Sequence, residues 1–495
     1  LFHSGSRKLA ALPLSSCPAF RSKLPKDLMS EFTMRRLSTA GTAAAVAMLA
    51  ACAATPAAAQ EGGEPDNVTF SRDIAPIFQN SCVNCHRPNG VAPMSLVRYE
   101  DARRYAGRIA RRTGIRDRMG TMPPWYVEKD IGIQHFKNDP SLTDDEIAMI
   151  ADWASSGAPE GDPADMPAPL EFDDSGAWTL GEPDVVVTTD EFLVEAGEPD
   201  WWGDIAPIEI PILEDRYVKS VEIREINDVP SEGTGRETVG GRFVIHHMVW
   251  STLNEEGEGG RTVWPVHEVG RNGDVFDQDA GRLLRTGSKL VSNSTHLHSN
   301  GLDTRARLQF GFTFHPEGYE PTYRESILGL GNGSDIDIQA GEKDQELHAY
   351  TVLRTPTKVV SFEPHLHAPG DRMCLEAIWG FNVETLSCVG YDHNWVRTYT
   401  FEENYQPLLP AGTVLHITGY MNNTEENFNI PDPRNWQGSG NRSVANMFID
   451  LGMRLSMSQE QFEAAMAERR ERLDLGPNDH VIGCPLCSVI PAGGR

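Results

Sequence analysis

The chain has 495 residues, with 44 Lys and Arg against 71 Asp and Glu, and carries a formal net charge of −27 at pH 7. A chain of this length is too long for one hydrophobic core, so we expect several domains. The acidic excess argues against nucleic acid and against an anionic membrane surface as partners, and it favours solubility.

Residues 34–59 have the layout of a secretory signal peptide. A basic start at Met34–Arg36 precedes an apolar run of small residues, Thr42–Ala54, which is too short and alanine-rich for a membrane span. An A-x-A cleavage signal follows at Ala57–Ala59. We therefore expect a periplasmic or secreted protein, and we interpret residues 1–33 as an upstream extension that is not native.

The stretch Leu49–Cys52 reads LAAC and resembles the cleavage box of bacterial lipoproteins. Cleavage there would leave a lipid anchor on Cys52, and this is the only membrane attachment that we expect. Plain export and lipid anchoring both remain open. Either route permits disulfides, and six cysteines remain downstream of the leader in three close pairs: Cys82 and Cys85, Cys374 and Cys388, Cys484 and Cys487.

Residues 66–157 are predicted to form a small all-α domain. The stretch FSRDIAPIFQNSC can start a helix at Ser71. A second helix is predicted from SLTDDEIAMIADWASSGAP, with Ser141 as N-cap, acidic residues in the first turn and Gly157 as the stop signal.

Between these helices, Cys82-Val83-Asn84-Cys85-His86 is the C-x-x-C-H pattern of covalent c-type haem attachment. The two thiols would add to the haem vinyl groups, and His86 would supply the fifth iron ligand. A structural cysteine pair followed by a chance histidine is the alternative. The single motif disfavours a di-haem peroxidase.

We expect the sixth iron ligand to be Met122 in the stretch GTMPPW, because a thioether suits an electron-transfer haem and two prolines would stiffen its loop. The rival ligands are Met94, Met119 and His135.

Residues 158–177 are acidic and rich in Pro and Gly, which predicts a linker. From residue 178 the pattern changes to short β-like runs broken by Gly, Asn, Asp and Pro, such as DVVVTTD, RYVKSVEIREI, RARLQFGFTF, TKVVSFEPHLH and TVLHITGYM. We predict two all-β sandwich domains, at 178–345 and 346–460, followed by a C-terminal helix (roughly 457–473) and a CPLC tail within 461–495.

Six histidines of the β region fall in three doublets: His246 and His247, His296 and His298, His365 and His367. The two His-x-His pairs put both side chains on one face of a strand, roughly 6–7 Å apart, which suits chelation. Imidazole suits copper, zinc, iron and nickel alike, and the absence of an H-E-x-x-H motif weakens a zinc hydrolase interpretation. Six other histidines stand alone and are interpreted as structural: His267, His315, His348, His393, His416 and His480.

The β region resembles the copper type II, ascorbate-dependent monooxygenases, the family of peptidylglycine α-hydroxylating monooxygenase and dopamine β-monooxygenase. The motifs occur in family order: His-His-Met at 246–248, a histidine at 296, His-x-His at 365–367 and a late methionine. Fusion of a haem c segment ending in MPPW to this module resembles a group of bacterial secreted proteins. The resemblance covers nearly all of residues 66–460 and implies two jelly-roll-like sandwiches, each holding one copper across an open cleft.

The resemblance implies that His246, His247 and His296 hold an electron-storage copper, with His298 as a spare. It implies that His365, His367 and a methionine hold the copper that meets O2, and a soft thioether favours Cu(I) there. Met447 is preferred over Met421, although Ser443 and Asn446 stand where the family has Thr and Glu.

The expected function is therefore C–H hydroxylation of an unknown organic substrate with O2, using two coppers and one covalent haem c that feeds them electrons from a cytochrome or other redox donor. The alternatives are an electron-transfer or copper-binding protein without oxygenation, and a surface binding module with a haem sensor.

Three further structural predictions come from residue patterns. Cys374 and Cys388 flank a hairpin turning at 380–382, so we expect a disulfide between them. For Cys484 and Cys487 a local disulfide is preferred over a metal or thiol-exchange site. Neighbouring strand residues face opposite ways, so joint binding by His246 and His247 requires a break or bulge in the strand there.

Overall fold

The computed structural model describes residues 67–88, 92, 94–172, 178–199, 201–229, 243–254, 260–268, 271, 273–327, 329–440 and 445–487. The expected signal peptide at 34–59, the interpretation of residues 1–33, the lipid-anchor alternative at Cys52 and the substitution at Ser443 fall outside these residues.

The α-helices of the described part are α1 (Ala75–Ser81), α2 (Tyr99–Arg103), α3 (Ala106–Thr113), α4 (Asp144–Ser155) and α5 (Gln459–Arg472). A wider helical turn, Phe70–Ile74, leads into α1, and short 3₁₀ turns lie at Pro163–Asp165 and Glu403–Tyr405.

The strands in chain order are β1 (Val127–Gly132), β2 (Val185–Thr188), β3 (Phe192–Val194), β4 (Trp201–Glu209), β5 (Arg216–Asn227), β6 (Ile245–Asn254), β7 (Gly260–Val263), β8 (His267–Glu268), β9 (Gly273–Val275), β10 (Arg282–Leu284), β11 (Lys289–Leu297), β12 (Thr304–Phe314), β13 (Arg324–Ile327), β14 (Leu330–Gly331), β15 (Gln345–Val352), β16 (Thr357–Val359), β17 (Ser361–Phe362), β18 (Pro364–Leu366), β19 (Gly370–Trp379), β20 (Asn382–Gly390), β21 (Tyr399–Thr400), β22 (Leu408–Leu409), β23 (Val414–Met421), β24 (Phe448–Asp450) and β25 (Met453–Ser456). The prediction of β-rich sandwich domains after residue 178 is confirmed.

The first sandwich packs two antiparallel sheets, one in the order β10-β5-β12-β2 with β3 and β9 at its edges, the other β4-β11-β6-β7 with β8. Strand β5 contributes Val218, Val221 and Ile223 to the core between the sheets, and the buried carboxylate of Glu222 accepts the backbone N–H groups of Thr179 and Leu180. The core between the sheets is rich in aromatic side chains, with Trp250 stacked on Trp264 at 5.4 Å between ring centres.

The second sandwich is built on a sheet in the order β1-β20-β19-β23-β15, faced by shorter sheets that contain β13-β25-β16-β22 and β14-β24-β18. Strands β13 and β14 lie upstream of residue 345, yet they pair with β25 and β24. The change of sheet partners thus occurs between Phe314 and Arg324, earlier in the chain than the predicted boundary near 345.

Strand β1 comes from the segment predicted to be all-α. It pairs with β20 at the edge of the second sandwich, where Val127 lies opposite Val389. Trp125, Ile133 and Phe136 of the same segment enter the core of that sandwich. The helices carry a separate small core around Phe70, Phe78 and Trp153. The segment is therefore only partly helical, and its residues 125–136 belong to the second sandwich.

The N-cap of α4 is Thr143, which corrects the expectation of Ser141. The Thr143 hydroxyl accepts the Glu146 N–H, and the Glu146 carboxylate accepts the Thr143 N–H, which together form a capping box. Two reciprocal bonds satisfy the first-turn donors better than a Ser141 cap two residues earlier. The predicted stop at Gly157 is confirmed, since its φ of 90° ends the helix in the left-handed region.

The two sandwiches share buried contacts. Val360 and Met453 of the second sandwich pack in the core of the first. Arg271 lies between Asp274 and Glu363 and pairs with both carboxylates, and its side chain is only 9% exposed. Burial alone would lower the pKa of Arg271, but the two carboxylates outweigh burial and raise it. This ion triad ties the first sandwich to the strand that carries the second histidine doublet.

Candidate metal centre

His246, His247 and His296 come together where β6 and β11 pair. The register places His296 opposite His247. One ring nitrogen from each of the three histidines can be chosen so that all lie within 4.8 Å of one another. A metal–imidazole bond is about 2.0 Å long, so nitrogens bound to one metal lie at most about 4 Å apart, and the three rings would have to move slightly closer to share one ion.

A bulge explains how both neighbours in β6 reach the same point. The ladder pairs His247 with His296 and Ile245 with Leu297, so His246 is the extra residue on its strand. The Glu225 carboxylate accepts the backbone N–H groups of Val244 and Ile245 just before the bulge. The predicted local break in the ladder at 246–247 is confirmed.

An indole forms one wall of this group. Trp202 of β4 stacks on His296 with ring centres 4.4 Å apart and an interplanar angle of 11°, and its edge meets His247 at 4.8 Å. Behind the group, Met248 and Trp250 are fully buried in the core of the sandwich. The role of Trp202 is not predictable from the sequence, because its strand shows no pattern that marks it as a neighbour of β11.

Of the second doublet, His365 lies on β18 and His367 directly follows that strand. His365 and His367 are 6% and 2% exposed, and their ring centres are 5.5 Å apart. Nδ1 of His367 is 3.1 Å from the Ala445 carbonyl oxygen. Because a carbonyl only accepts, Nδ1 carries the proton and Nε2 is left with its lone pair for a metal.

The register favours Met447 over Met421 as a companion of this doublet. β24 pairs with β18 so that His365 faces Ile449 and Leu366 faces Phe448. The observed pairing ends at Leu366 and Phe448, and one further step in the same register would set Met447 opposite His367. Met421 is fully buried in the core of the second sandwich and pairs with Gly370 and Gln345.

Asn446 belongs to a buried chain of amides behind this methionine. Its Nδ2 donates to Gln437 Oε1 at 3.1 Å, and Gln437 Nε2 donates to Asn423 Oδ1 at 3.3 Å. Asn446 is 1% exposed and Asn423 is fully buried. A neutral amide chain therefore occupies the place where the resemblance implies a glutamate.

The two groups of histidines are in contact. His247 and His365 meet edge to face with ring centres 6.2 Å apart. The resemblance implies an open, solvent-filled cleft between two separate sites, and this arrangement differs from it. The buried Arg271 triad and the shared core residues Val360 and Met453 hold the sandwiches together here.

His393, interpreted from the sequence as structural, lies within the centre. Its ring centre is 6.0 Å from that of His246 and 6.0 Å from that of His367. His298 is exposed, and its ring centre lies 6.5 Å from that of His246, beside the three histidines of the first group. The histidines thus form a closed circuit of five rings in the order His246, His247, His365, His367 and His393.

The C-x-x-C-H motif forms a helical turn directly after α1. The His86 N–H donates to the Cys82 carbonyl at 2.9 Å, and Cys82 and Cys85 are not disulfide-bonded. Burial raises the pKa of the Cys82 thiol to about 12, with smaller contributions from Cys85 and Glu146. The turn packs beside the small helical core.

The imidazole of His86 fits the role of an iron ligand. Its Nδ1 is 3.1 Å from the Met94 carbonyl oxygen, so Nδ1 carries the proton and Nε2 is available. Burial lowers the pKa of His86, and the bond to Met94 opposes that shift. The free thiols and this tautomer match what covalent haem attachment requires.

The candidates for a sixth ligand differ in their surroundings. Met122 is 42% exposed, in the loop after α3. Met94 packs against the helical core. Met119 and His135 face the β region: the Met119 sulfur accepts Asn429 Nδ2 at 3.2 Å, and His135 stacks on Tyr405 at 3.6 Å.

The loop between β20 and β21, residues 391–398, connects the two candidate centres. His393 belongs to the histidine circuit, while the Arg397 guanidinium acts electrostatically on Cys85 and lies 5.1 Å over the Trp125 ring. Asp392 accepts the Tyr126 hydroxyl at 3.1 Å. Burial, followed by Asp392, raises the pKa of Tyr126.

Both predicted disulfides are confirmed. Cys374 and Cys388 face each other across the β19–β20 hairpin, with Cα atoms 4.1 Å apart. The hairpin turns at 380–381, where Gly380 has φ of 57°. Cys484 and Cys487 form a local disulfide. Such bonds are typical of oxidising compartments.

Other isolated histidines have structural partners. His416 Nδ1 lies 2.7 Å from the Glu376 carboxylate, and His416 Nε2 lies 3.0 Å from His348 Nδ1. His315 stacks on Tyr319 at 3.8 Å, and His480 pairs with Glu384 at 2.8 Å.

A cavity of about 840 Å³ opens away from the histidines, between the two sandwiches and α5. Its walls carry charges of both signs, including Arg271, Asp277, Lys358, Arg397 and Glu468. Within the described residues, no helix is long and apolar enough to cross a membrane.

No protein-family profile and no curated protein matches the chain. Among solved structures it is similar to a recombinant peptide:N-glycanase F, at 9% identity and a TM-score of 0.27, covering 56% of this chain and 96% of that chain. It is also similar to a structure of infectious bursal disease virus, Gt strain, at 10% identity and a TM-score of 0.14, covering 59% of this chain and 74% of that chain. It is similar as well to a point mutant of oxalate decarboxylase from Bacillus subtilis, at 8% identity and a TM-score of 0.13, covering 59% of this chain and 85% of that chain. At these TM-scores the similarities carry no conclusion about fold or activity.

Proposed function

We propose that the chain is a copper-dependent monooxygenase that hydroxylates a C–H bond with O2, and that a covalently attached haem c feeds electrons to its copper centre. The proposal includes a small cytochrome c domain, two jelly-roll-like sandwiches, a periplasmic or secreted location and an external redox donor. The observation that carries it is the convergence of His246, His247 and His296 on one point, beside His365 and His367.

The chemistry of the donor set supports copper. Copper supplies one-electron storage and reaction with O2 when it is bound. The three imidazoles at 246, 247 and 296 offer a nitrogen set that suits either copper oxidation state, while the Met447 thioether favours Cu(I) at the second doublet. Trp202 keeps water from one side of the first group.

The protein also fixes the protonation of its ligands. The Ala445 carbonyl holds the proton on Nδ1 of His367, and the Met94 carbonyl does the same for His86. Each bond fixes the tautomer that leaves the Nε2 lone pair available for a metal without a further proton transfer.

The route for electrons is supported by the 391–398 loop. Arg397 lies in the electrostatic field of Cys85, and four residues of chain, at most about 14 Å, separate it from His393. The chain from Arg397 to His393 would be the covalent part of such a route, and the step between Cys85 and Arg397 would be through space.

Metal analysis of one reconstituted sample tests the proposal. We expect one haem and two type-2 copper signals per chain, with His247→Ala and His365→Ala each losing one copper. His348→Ala, which removes a histidine outside the circuit, is the matched control. A sample that binds haem but takes up no copper would overturn the proposal.

The second candidate is an electron-transfer or copper-binding protein that does not oxygenate. The neutral amide chain at Asn446, where the resemblance implies a glutamate, favours it. Consumption of O2 by reduced, copper-loaded protein separates the two. Dependence of that consumption on Met447 supports oxygenation, whereas equal rates for the native chain and Met447→Ala support the second candidate.

A further inference from the structure

We infer that His393 is an additional ligand to the metal that His365 and His367 hold. This assignment deepens the proposed function and rests on it. It adds a nitrogen donor, from a part of the chain that the resemblance to known monooxygenases does not identify, to a site otherwise made of two imidazoles and one thioether.

The first argument is distance. With metal–nitrogen bonds of about 2.0 Å, two imidazoles on one metal have ring centres about 4.5–6.4 Å apart, depending on the angle at the metal. The rings of His393 and His367 are 6.0 Å apart, and those of His365 and His367 are 5.5 Å apart. His393 is thus in ligand range of a metal beside His367.

The second argument decides which metal His393 serves. His246 is as near to His393 as His367 is, but His246 already belongs to a set of three imidazoles. The pair at 365 and 367 has two. A third nitrogen beside the Met447 thioether completes a four-ligand set there.

The third argument is that the loop holds His393 against this doublet. The Tyr391 hydroxyl donates to the carbonyl of Leu366, the residue between the two histidines, at 2.5 Å. On the other side of His393, Asn394 Nδ2 donates to Asn429 Oδ1 at 2.9 Å. The loop is therefore pinned on both sides of His393.

Burial and solvation agree with this role. Nδ1 of His393 is shielded from solvent, and its ring lies beside those of His246 and His367. With three nitrogens and a thioether, the metal at the second doublet would be less strongly biased toward Cu(I) than with two nitrogens and a thioether.

The test compares the native chain with His393→Ala in copper stoichiometry, Cu(II) EPR and pulsed-EPR counting of bound imidazoles. We expect His393→Ala to keep the copper of the first group, to lose at least 10-fold in copper affinity at the second doublet, and to show one imidazole fewer. His348→Ala should match the native chain. His393→Gly with added free imidazole should regain the native spectrum, which a folding defect would not allow.

Two outcomes overturn the assignment, and they differ. If the native chain binds two coppers and His393→Ala gives the same affinity and spectrum, the assignment fails while the proposed function stands. If the native chain binds no copper, both fail.

Discussion

His246 and His247 are adjacent on a strand, and only the bulge lets both rings reach His296. The bulge is held by the Glu225 carboxylate before it and by Trp202, which packs from β4 onto His296 of β11. Ring orientation at the first group thus depends on residues that bind no metal. Such supporting contacts commonly set metal affinity as strongly as ligand identity does.

Replacement of Trp202 tests this support. We expect Trp202→Ala to weaken copper binding at the first group by about 10–100-fold, because the stacked ring no longer holds His296 or excludes water. Trp202→Phe should lose less, since an aromatic ring remains. Chelator competition gives the affinities, and Trp436→Ala, which removes an exposed indole elsewhere, is the control. Equal affinity for Trp202→Ala and native protein would show that the wall is dispensable.

At the scale of elements, the sequence predicted correctly the helices and strands whose bounds are set by interactions between residues close in the chain. The strand runs around Val185–Thr188 and Arg216–Asn227 are correct because alternation and turn residues mark them. The N-cap of α4 was misplaced because Ser141 competes with the Thr143–Glu146 box. The edge strand β1 was missed, since its pairing with β20 lies more than 250 residues away in sequence, and no local signal encodes such a partner.

The capping box of α4 gives a prediction at this scale. Thr143→Ala removes the acceptor for the Glu146 N–H, and we expect it to cost about 1 kcal/mol of unfolding free energy, with Thr143→Ser close to native. α4 places Ile150 and Trp153 in the helical core. Chemical denaturation measures the loss, and a Thr143→Ala midpoint equal to that of Thr143→Ser would contradict the role of the box.

The β19–β20 disulfide is expected to contribute more stability than the tail disulfide. The first closes a sequence separation of 14 and the second a separation of 3. In the chain-entropy account a loop of that longer size contributes about 3 kcal/mol, and shorter loops less. Paired Cys→Ala variants at each site, compared by denaturation midpoint, check the order. A larger loss at the tail pair would reverse it.

At the scale of the whole molecule, the sandwiches meet through charge as well as apolar packing. Arg271 pairs with Asp274 and Glu363 while nearly buried, so its removal leaves two carboxylates without their cation. We expect Arg271→Met to cost about 3–5 kcal/mol and to loosen the contact between His247 and His365. Arg305→Met, which breaks an exposed pair with Glu191, should cost about 0–1 kcal/mol. Hydrogen exchange of the β18 amides compares the two variants. Equal protection of β18 in Arg271→Met and Arg305→Met would contradict the role of the Arg271 triad in holding the sandwiches together.

The last prediction concerns the connection between haem and copper. If the 391–398 loop carries electrons, reduced haem in a copper(II)-loaded chain re-oxidises at a rate independent of protein concentration, because the transfer is within one molecule. Arg397 acts electrostatically on Cys85, so its positive charge would favour the reduced state of the proposed haem. Arg397→Gln should therefore lower the haem potential by about 40 mV, from an interaction on the order of 1 kcal/mol at an effective dielectric of about 20. Arg434→Gln, far more exposed, is the control. Spectroelectrochemistry measures the haem potential, and stopped-flow absorbance measures the re-oxidation rate. A rate that rises with protein concentration would contradict transfer within one chain, because only transfer between two chains depends on how often they meet.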